Sequence, residues 1–255
     1  MVMDTLFPLL GPKTTVIHCS SVNLLPGEPA SIFSDNTKMT LNVLSALEEN
    51  DIRNYIYLSS TDVYGRPPRE LPLTEKSLPH PTGYYGLSKY SCEKLLSYAL
   101  EEKQTPLSIL RLPGIYGIED KGKSIIGQFL SKIINGEELL IHSPQTLELK
   151  RDYFHIDDVL SICNMLYKNP LPGIFNLVTG QSNSLQQLIQ HMEKVLEKKA
   201  VYKILNAPPV KQFDLQFDSS LLKETFHFHP LSSIQGIELY AEKLRAPRAT
   251  AGLQL

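Results

Sequence analysis

Apolar positions along the chain follow two alternating patterns. Short, nearly continuous apolar runs, such as Val16-Ile17 within residues 14–18 and Tyr55-Ile56-Tyr57-Leu58 within 55–60, read as strands covered on both faces. Residues 36–49 and 84–102 instead repeat apolar side chains every three or four positions, the spacing of an amphipathic helix, and a further strand-like run follows at 107–112. This order predicts βαβ units and therefore an α/β fold with a doubly wound parallel sheet. The first two strands run out into small polar residues, Ser20-Ser21 and Ser59-Ser60-Thr61. Open α/β sheets bind ligands beyond the carboxyl ends of their strands, so these endings are the first place to look for chemistry.

Beyond Gly117 the pattern loosens. A helix is expected over 124–135, with Gly136 in the position that closes it, and a strand-like run at 138–141. Residues 184–197 put Leu185, Leu188, Ile189, Met192, Val195 and Leu196 on one helical face. The expected division is a sheet-forming part over 1–118, a smaller mixed α/β substrate region over 119–245 with some elements returning to the sheet, and a frayed tail over 246–255.

Composition narrows the function classes. The chain has 255 residues, 42% hydrophobic and 20% charged, with a formal net charge of −2. That suits one large globular domain, and the lack of a basic excess argues against binding a nucleic-acid backbone. No stretch approaches the roughly 20 apolar residues of a membrane span, and the first residues lack a basic start with an apolar core behind it. The expected compartment is the cytosol. Cys19, Cys92 and Cys163 form no CxxC pair and read as buried or incidental thiols, and the seven histidines fall in no ligand-spaced cluster, so no metal site is expected.

Tyr85-Gly86-Leu87-Ser88-Lys89 places a phenol and an ammonium one helical turn apart. A neighbouring cation stabilises phenolate, which would bring the tyrosine pKa down from about 10 toward a range useful for proton transfer. Tyr90 and Lys94 repeat the spacing, so the spacing alone favours two ordinary helix-surface pairs. Upstream, Tyr57-Leu58-Ser59-Ser60-Thr61-Asp62-Val63-Tyr64-Gly65 is a strand ending in hydroxyls, followed by a loop with Thr74-Glu75 and Pro79-His80-Pro81.

With these segments the chain resembles the extended short-chain dehydrogenase/reductase family, in particular its NAD-dependent epimerase/dehydratase branch of nucleotide-sugar enzymes. The resemblance covers roughly residues 4 to 240 and rests on motifs in order: Val16-Ile17-His18-Cys19-Ser20-Ser21; Ser59 to Gly65; Tyr85-Gly86-Leu87-Ser88-Lys89 with Glu93; Leu110-Arg111-Leu112-Pro113-Gly114-Ile115-Tyr116-Gly117; Arg151-Asp152-Tyr153-Phe154-His155-Ile156-Asp157-Asp158-Val159; and Phe175-Asn176-Leu177-Val178-Thr179-Gly180. It implies a Rossmann-like NAD(P)-binding fold in which Tyr85 is the general base on a substrate hydroxyl, Lys89 holds the nicotinamide ribose and keeps Tyr85 acidic, and Ser60, with Thr61 as the alternative in register, hydrogen-bonds the reacting oxygen. Ser20 and Pro113 would join Tyr85 and Lys89 against NAD or NADP. Asp62, Arg151 and Lys211 would meet the substrate, Arg151 gripping a nucleotide diphosphate. Tyr90 lies about 140° around the helix from Tyr85 and would not share the site. Many relatives dimerise through two helices of each subunit, which makes 84–102 a candidate for a homodimer contact.

The chain departs from the family pattern in several places. No GxxGxxG turn is present, and the His18-Cys19-Ser20-Ser21 segment that marks the family's fourth strand is here the first, so two βα units, on the order of 60 residues, are expected to be missing in front of it. An open edge on the first strand would follow. Ser60-Thr61-Asp62 stands where the dehydratase subgroup carries Thr-Asp-Glu, which favours epimerisation or carbonyl reduction over dehydration. Lys211 keeps the charge of a family arginine but not its fork. The alternatives left open are a non-catalytic or truncated relative without cofactor binding, and a reductase of the 3β-hydroxysteroid dehydrogenase type.

Overall fold

The computed structural model of the chain describes residues 9–22, 29–120, 122–205 and 213–245. Its elements in chain order are β1 (Thr15–His18), α1 (Ser31–Leu47), β2 (Asn54–Ser60), α2 (Tyr84–Glu102), β3 (Leu107–Leu112), β4 (Gly114–Tyr116), α3 (Ile125–Asn135) and β5 (Glu138–Ile141). They continue with β6 (Lys150–Arg151), β7 (Tyr153–His155), α4 (Ile156–Lys168), β8 (Gly173–Asn176), β9 (Asn183–Ser184), α5 (Leu185–Leu196), β10 (Val201–Ile204), α6 (Ser220–Phe226) and α7 (Ser233–Arg245). The expected strands and helices are present with shifts at their ends. α1 begins at Ser31, five residues before the periodic pattern becomes clear, because Ile32 is fully buried and, with half-buried Phe33, anchors the first turn.

Four strands form one parallel sheet in the order β1-β2-β3-β8, so the fold is α/β as expected. Successive residues of β2 serve opposite faces. Tyr55 and Tyr57 pack with Leu47, Cys92, Leu96 and Leu100 under α1 and α2, whereas Ile56 packs with Phe154, Ile162, Leu166 and Phe175 against α4. This explains the unbroken apolar run: both faces are roofed by helices. Among the described residues β1 pairs with β2 alone, and Ile17 on it is 44% exposed.

A second core lies beside the sheet, where Phe129 and Leu130 of α3, Leu188 and Met192 of α5 and Ile237 and Tyr240 of α7 enclose Leu139 and Ile141 of β5. Gly136 closes α3 in the left-handed conformation, φ 71°. Ser184 and Gln187 form a reciprocal capping box at the start of α5. The tail from 246 lies outside the described residues.

A buried polar network ties the carboxyl ends of the strands to α2. Arg111 on β3 donates to Glu93 of α2 through Nε at 3.0 Å and Nη2 at 2.7 Å, and Ser59 on β2 donates to the same carboxylate at 2.6 Å. Arg111 Nη1 also donates to the Tyr64 hydroxyl at 2.9 Å, which donates to Asn176 Oδ1 on β8 at 2.7 Å. Burial works against the Arg111 charge, but the bonds and charge of Glu93 outweigh it and hold its pKa above the ordinary value. Arg111→Met would leave the Glu93 carboxylate buried without its partner and is expected to lower unfolding stability by about 3–5 kcal/mol, whereas adding Glu93→Leu should recover part of that loss. Urea denaturation measures both; an Arg111→Met protein as stable as wild type would refute this account of the pair.

Candidate active site

A cleft of about 490 Å³ opens beyond the carboxyl ends of β1, β2 and β3. Cys19 and Ser21 line it after β1, residues 58–62 at the end of β2, and residues 112–115 after β3. α2 contributes Tyr85 and Lys89, and Asp120, Lys123 and Ser124, which lead into α3, form the far wall. Asn36 of α1 fixes the β1 side: its Oδ1 accepts from the Val22 amide at 2.7 Å while its Nδ2 donates to Ser88 Oγ on α2 at 2.9 Å.

Ser60 ends β2 in an extended conformation, and its Oγ accepts from the Asp62 amide at 3.1 Å, capping the one-turn helix Thr61–Tyr64. That turn presses on the start of α2 so closely that a Cβ on Gly86 would lie 2.5 Å from the Asp62 carbonyl oxygen. The glycine in the Tyr85-Gly86-Leu87-Ser88-Lys89 segment therefore lets the tyrosine approach the strand ends. Ser21 and Ser60 both hydrogen-bond the Tyr85 phenol.

Lys89 is 3% exposed, donates to the Leu58 carbonyl at 2.9 Å and lies 5.1 Å from the Tyr57 ring centre and 5.8 Å from that of Tyr85. Burial lowers its pKa to about 8. Burial likewise pushes Tyr85 up to about 12, the Asp62 carboxylate adds to the rise, and the bonds from Ser21 and Ser60 and the charge of Arg66 only partly oppose it. This reverses the expectation that the pair would make Tyr85 acidic. A phenolate loses more hydration in this closed corner than its neighbours return, so Tyr85 keeps its proton at neutral pH.

The Tyr90 and Lys94 pair is elsewhere: Tyr90 packs against the core of Val63, Tyr64 and Leu73. Of the other sequence candidates, Thr61, Asp62 and Pro113 line the cleft, while Ser20 is exposed and its neighbours Cys19 and Ser21 form the wall instead. Arg151 is not among the lining residues. Its guanidinium is held by the Phe213 carbonyl at 2.5 Å and the Lys150 carbonyl at 2.8 Å and stacks 5.0 Å from the Phe213 ring centre. Lys211 lies outside the described residues. The pattern gave no hint of Arg66, which lines the cleft directly after Gly65, nor of Asp120 and Lys123. The only signal near those two was the capping serine, Ser124, ahead of a periodic helix. Among the described residues no His, Cys, Asp and Glu cluster could hold a metal ion.

The donor set fits one end of a dinucleotide. Lys89 gives one of its three protons to Leu58, and beside it stand the Tyr85 and Ser60 hydroxyls and the Pro113 ring, a combination suited to a ribose diol and a flat heterocycle. A glycine-rich pyrophosphate turn is absent from the sequence.

Residues 7–177 match the family described as NAD dependent epimerase/dehydratase. Over 224 residues, 84% of this chain, the protein is 28% identical to the ADP-L-glycero-D-manno-heptose-6-epimerase of Brachyspira hyodysenteriae, spanning 70% of that relative. It is 32% identical over 197 residues to the dTDP-4-dehydro-6-deoxyglucose reductase of Escherichia coli, covering 73% of this chain and 60% of the relative. The fold is similar to that of a UDP-glucose 4-epimerase from Thermotoga maritima solved with UDP-glucose, with a TM-score of 0.84, 26% identity, and 96% of this chain and 81% of the other covered.

Because the Asp62 carboxylate adds to the rise in the Tyr85 pKa, Asp62→Asn is expected to bring the tyrosine ionisation to lower pH. Spectrophotometric titration of tyrosinate, with Tyr85→Phe as the blank, reads this directly; an unmoved ionisation would show that Asp62 does not act on the phenol.

Proposed function

The chain is a member of the NAD-dependent epimerase/dehydratase family, and from that membership we propose that it oxidises or reduces a hydroxyl or carbonyl of a nucleotide sugar with NAD or NADP. The observation that carries the reading is the meeting of Ser60, Tyr85 and Lys89 in one cleft at the carboxyl ends of the parallel strands. Residues 1–118 form its cofactor side and 119–245 most of its substrate side.

Bound NAD(P) would supply the hydride acceptor and donor. Lys89 would hold the ribose through protons that Leu58 does not use, with Pro113 against the heterocycle and the Ser21 hydroxyl nearby. Ser60 would donate to the reacting sugar oxygen, its own Oγ already oriented by the Asp62 amide. Tyr85, protonated in the cleft, is ready to give its proton to a carbonyl oxygen as that oxygen gains charge, the reductive direction; in the oxidative direction it must first lose the proton, which the positive charges of Lys89 and a bound nicotinamide favour. Arg151 and Lys211 are the proposed cations for the nucleotide diphosphate. Epimerisation and carbonyl reduction are favoured over dehydration, since only Asp62 stands where the dehydratase subgroup has an acidic pair.

We place the protein in the cytosol: its three cysteines are free thiols, and among the described residues no helix is long and apolar enough to cross a membrane. A second copy of the chain is the proposed partner for the outer groove between α1 and α2, where Leu41 and Tyr98 are 49% and 71% exposed. Tyr98→Glu is expected to convert a sedimenting dimer to monomer; a monomeric wild type would remove the dimer from this reading.

Thermal-shift titration with NAD⁺, NADP⁺ and UDP-, GDP- and dTDP-sugars tests the activity, with an external dye because the chain has no tryptophan. Ligand at about 100 times its Kd should add roughly 2.7 kcal/mol, on the order of 5–11 °C for a chain of this size. Tyr85→Phe should keep the shift while turnover falls about 100- to 10,000-fold. A cooperative unfolding transition unmoved by NAD⁺ or NADP⁺ would count against this reading.

A further inference from the structure

Arg66 stands on the cleft wall with Tyr85, and no step assigned above uses it. Its backbone is fixed. The amide donates to Thr82 Oγ1 at 2.9 Å, Thr82 donates back to the Arg66 carbonyl at 3.2 Å, and Gly65 before it turns at φ +83°, where a side chain would collide with the His80 carbonyl. The guanidinium is held far more loosely. Among the described residues it bonds Asp62 alone, with Nε at 2.6 Å and Nη2 directed at the same oxygen, Oδ1, and the Arg66 side chain is 47% exposed. A half-exposed pair of this kind contributes little to stability, and the loop is already secured by Thr82 and the Gly65 turn.

The surroundings favour an anion. Lys89 and Lys123 line the same cleft, and Asp120, its other described acidic residue, is engaged by Ser124, by the Gly122 amide at 2.7 Å and by Tyr240 at 3.0 Å. Burial is the main cause that lowers the Arg151 pKa, and the Arg66 charge adds to it, so Arg66 bears on a second guanidinium outside the cleft lining. Arg66 and Tyr85 line the same cleft, so the guanidinium faces the space that a sugar meeting the phenol would enter. Nε and Nη2 crowd one Asp62 oxygen, an arrangement inferior to the two parallel bonds that a guanidinium fork makes with a free carboxylate.

We infer that Arg66 is a specificity-determining residue that takes an oxyanion of the substrate in exchange for the Asp62 carboxylate. The anion is a carboxylate borne by the sugar close to the reacting carbon, or else the nucleotide diphosphate; the position beside Tyr85 favours the carboxylate. The inference rests on the nucleotide-sugar reading and narrows it to sugar acids.

Calorimetric titration decides it. The nucleotide that wild type binds best among UDP, GDP and dTDP is presented free, as its glucose conjugate and as its glucuronate conjugate, to wild type, Arg66→Gln and Arg66→Lys. Wild type should prefer the glucuronate form by roughly 10- to 100-fold. Arg66→Gln should bring that ratio near one, and Arg66→Lys, which keeps the charge but not the fork, should fall between. Weakening of all three ligands by the same factor in Arg66→Gln would support Arg66 as the oxyanion receiver and identify the diphosphate as the anion. Affinities of folded Arg66→Gln unchanged for all three would overturn the inference while leaving the nucleotide-sugar reading standing. A wild type that binds none of the nucleotides or their sugars would refute that reading, and this inference with it.

Discussion

The ion pair between Glu93 and Arg111 is the constraint on which the site depends. Both side chains are 2% exposed, and neither charge could remain there without the other. Four members of the surrounding network lie in or beside the cleft: Ser59 lines it and precedes Ser60, Arg111 precedes Leu112 and Pro113, Glu93 is one helical turn beyond Lys89, and Tyr64 closes the turn that carries Asp62. Most polar atoms taken out of water here find partners across three strands and a helix, although Asn176 Nδ2 is buried without one among the described residues. The distance from the strand-end hydroxyls to the phenol and ammonium of α2 is thereby set from behind, by groups of which only Ser59 reaches the cleft.

Burial also sets the protonation of the site, and it acts on its neighbours differently. It lowers Lys89 to about 8 and His18 to about 4, so the imidazole beneath the cleft is neutral and its Nδ1 shares a 2.7 Å hydrogen bond with Tyr55. It raises Tyr85 to about 12. A neutral phenol beside a partly desolvated ammonium is a proton donor waiting for an oxygen that gains charge. Any ligand that brings positive charge into the cleft would lower the tyrosine again, which couples binding to proton transfer through electrostatics alone.

Legibility differed between fold and site for physical reasons. Alternating apolar runs and helical stripes were enough for β1 to β3, α2, α3 and α5, because a sheet roofed on both faces forces continuous apolar strands and one-sided helices. Ser60, Tyr85 and Lys89 were legible because a strand end and one helical turn are local geometry. Arg66 was not, since an arginine after a glycine has no periodic signature; only the Gly65 turn and the Thr82 bonds bring it over the cleft. Arg151 was legible as a phosphate-binding fork, and only the structure shows its guanidinium held by the carbonyls of residues 150 and 213 and by the Phe213 ring.

The sequence by itself determined the α/β alternation, through spacings of two to four residues, and through the order of its motifs the family and Ser60, Tyr85 and Lys89 as the residues that meet in the cleft. Tertiary structure alone decided that this tyrosine is held protonated rather than acidified, and that an arginine and an aspartate meet beside it. These outcomes depend on desolvation and on charges brought together from distant segments, and no local spacing encodes how much water a folded chain leaves around a side chain.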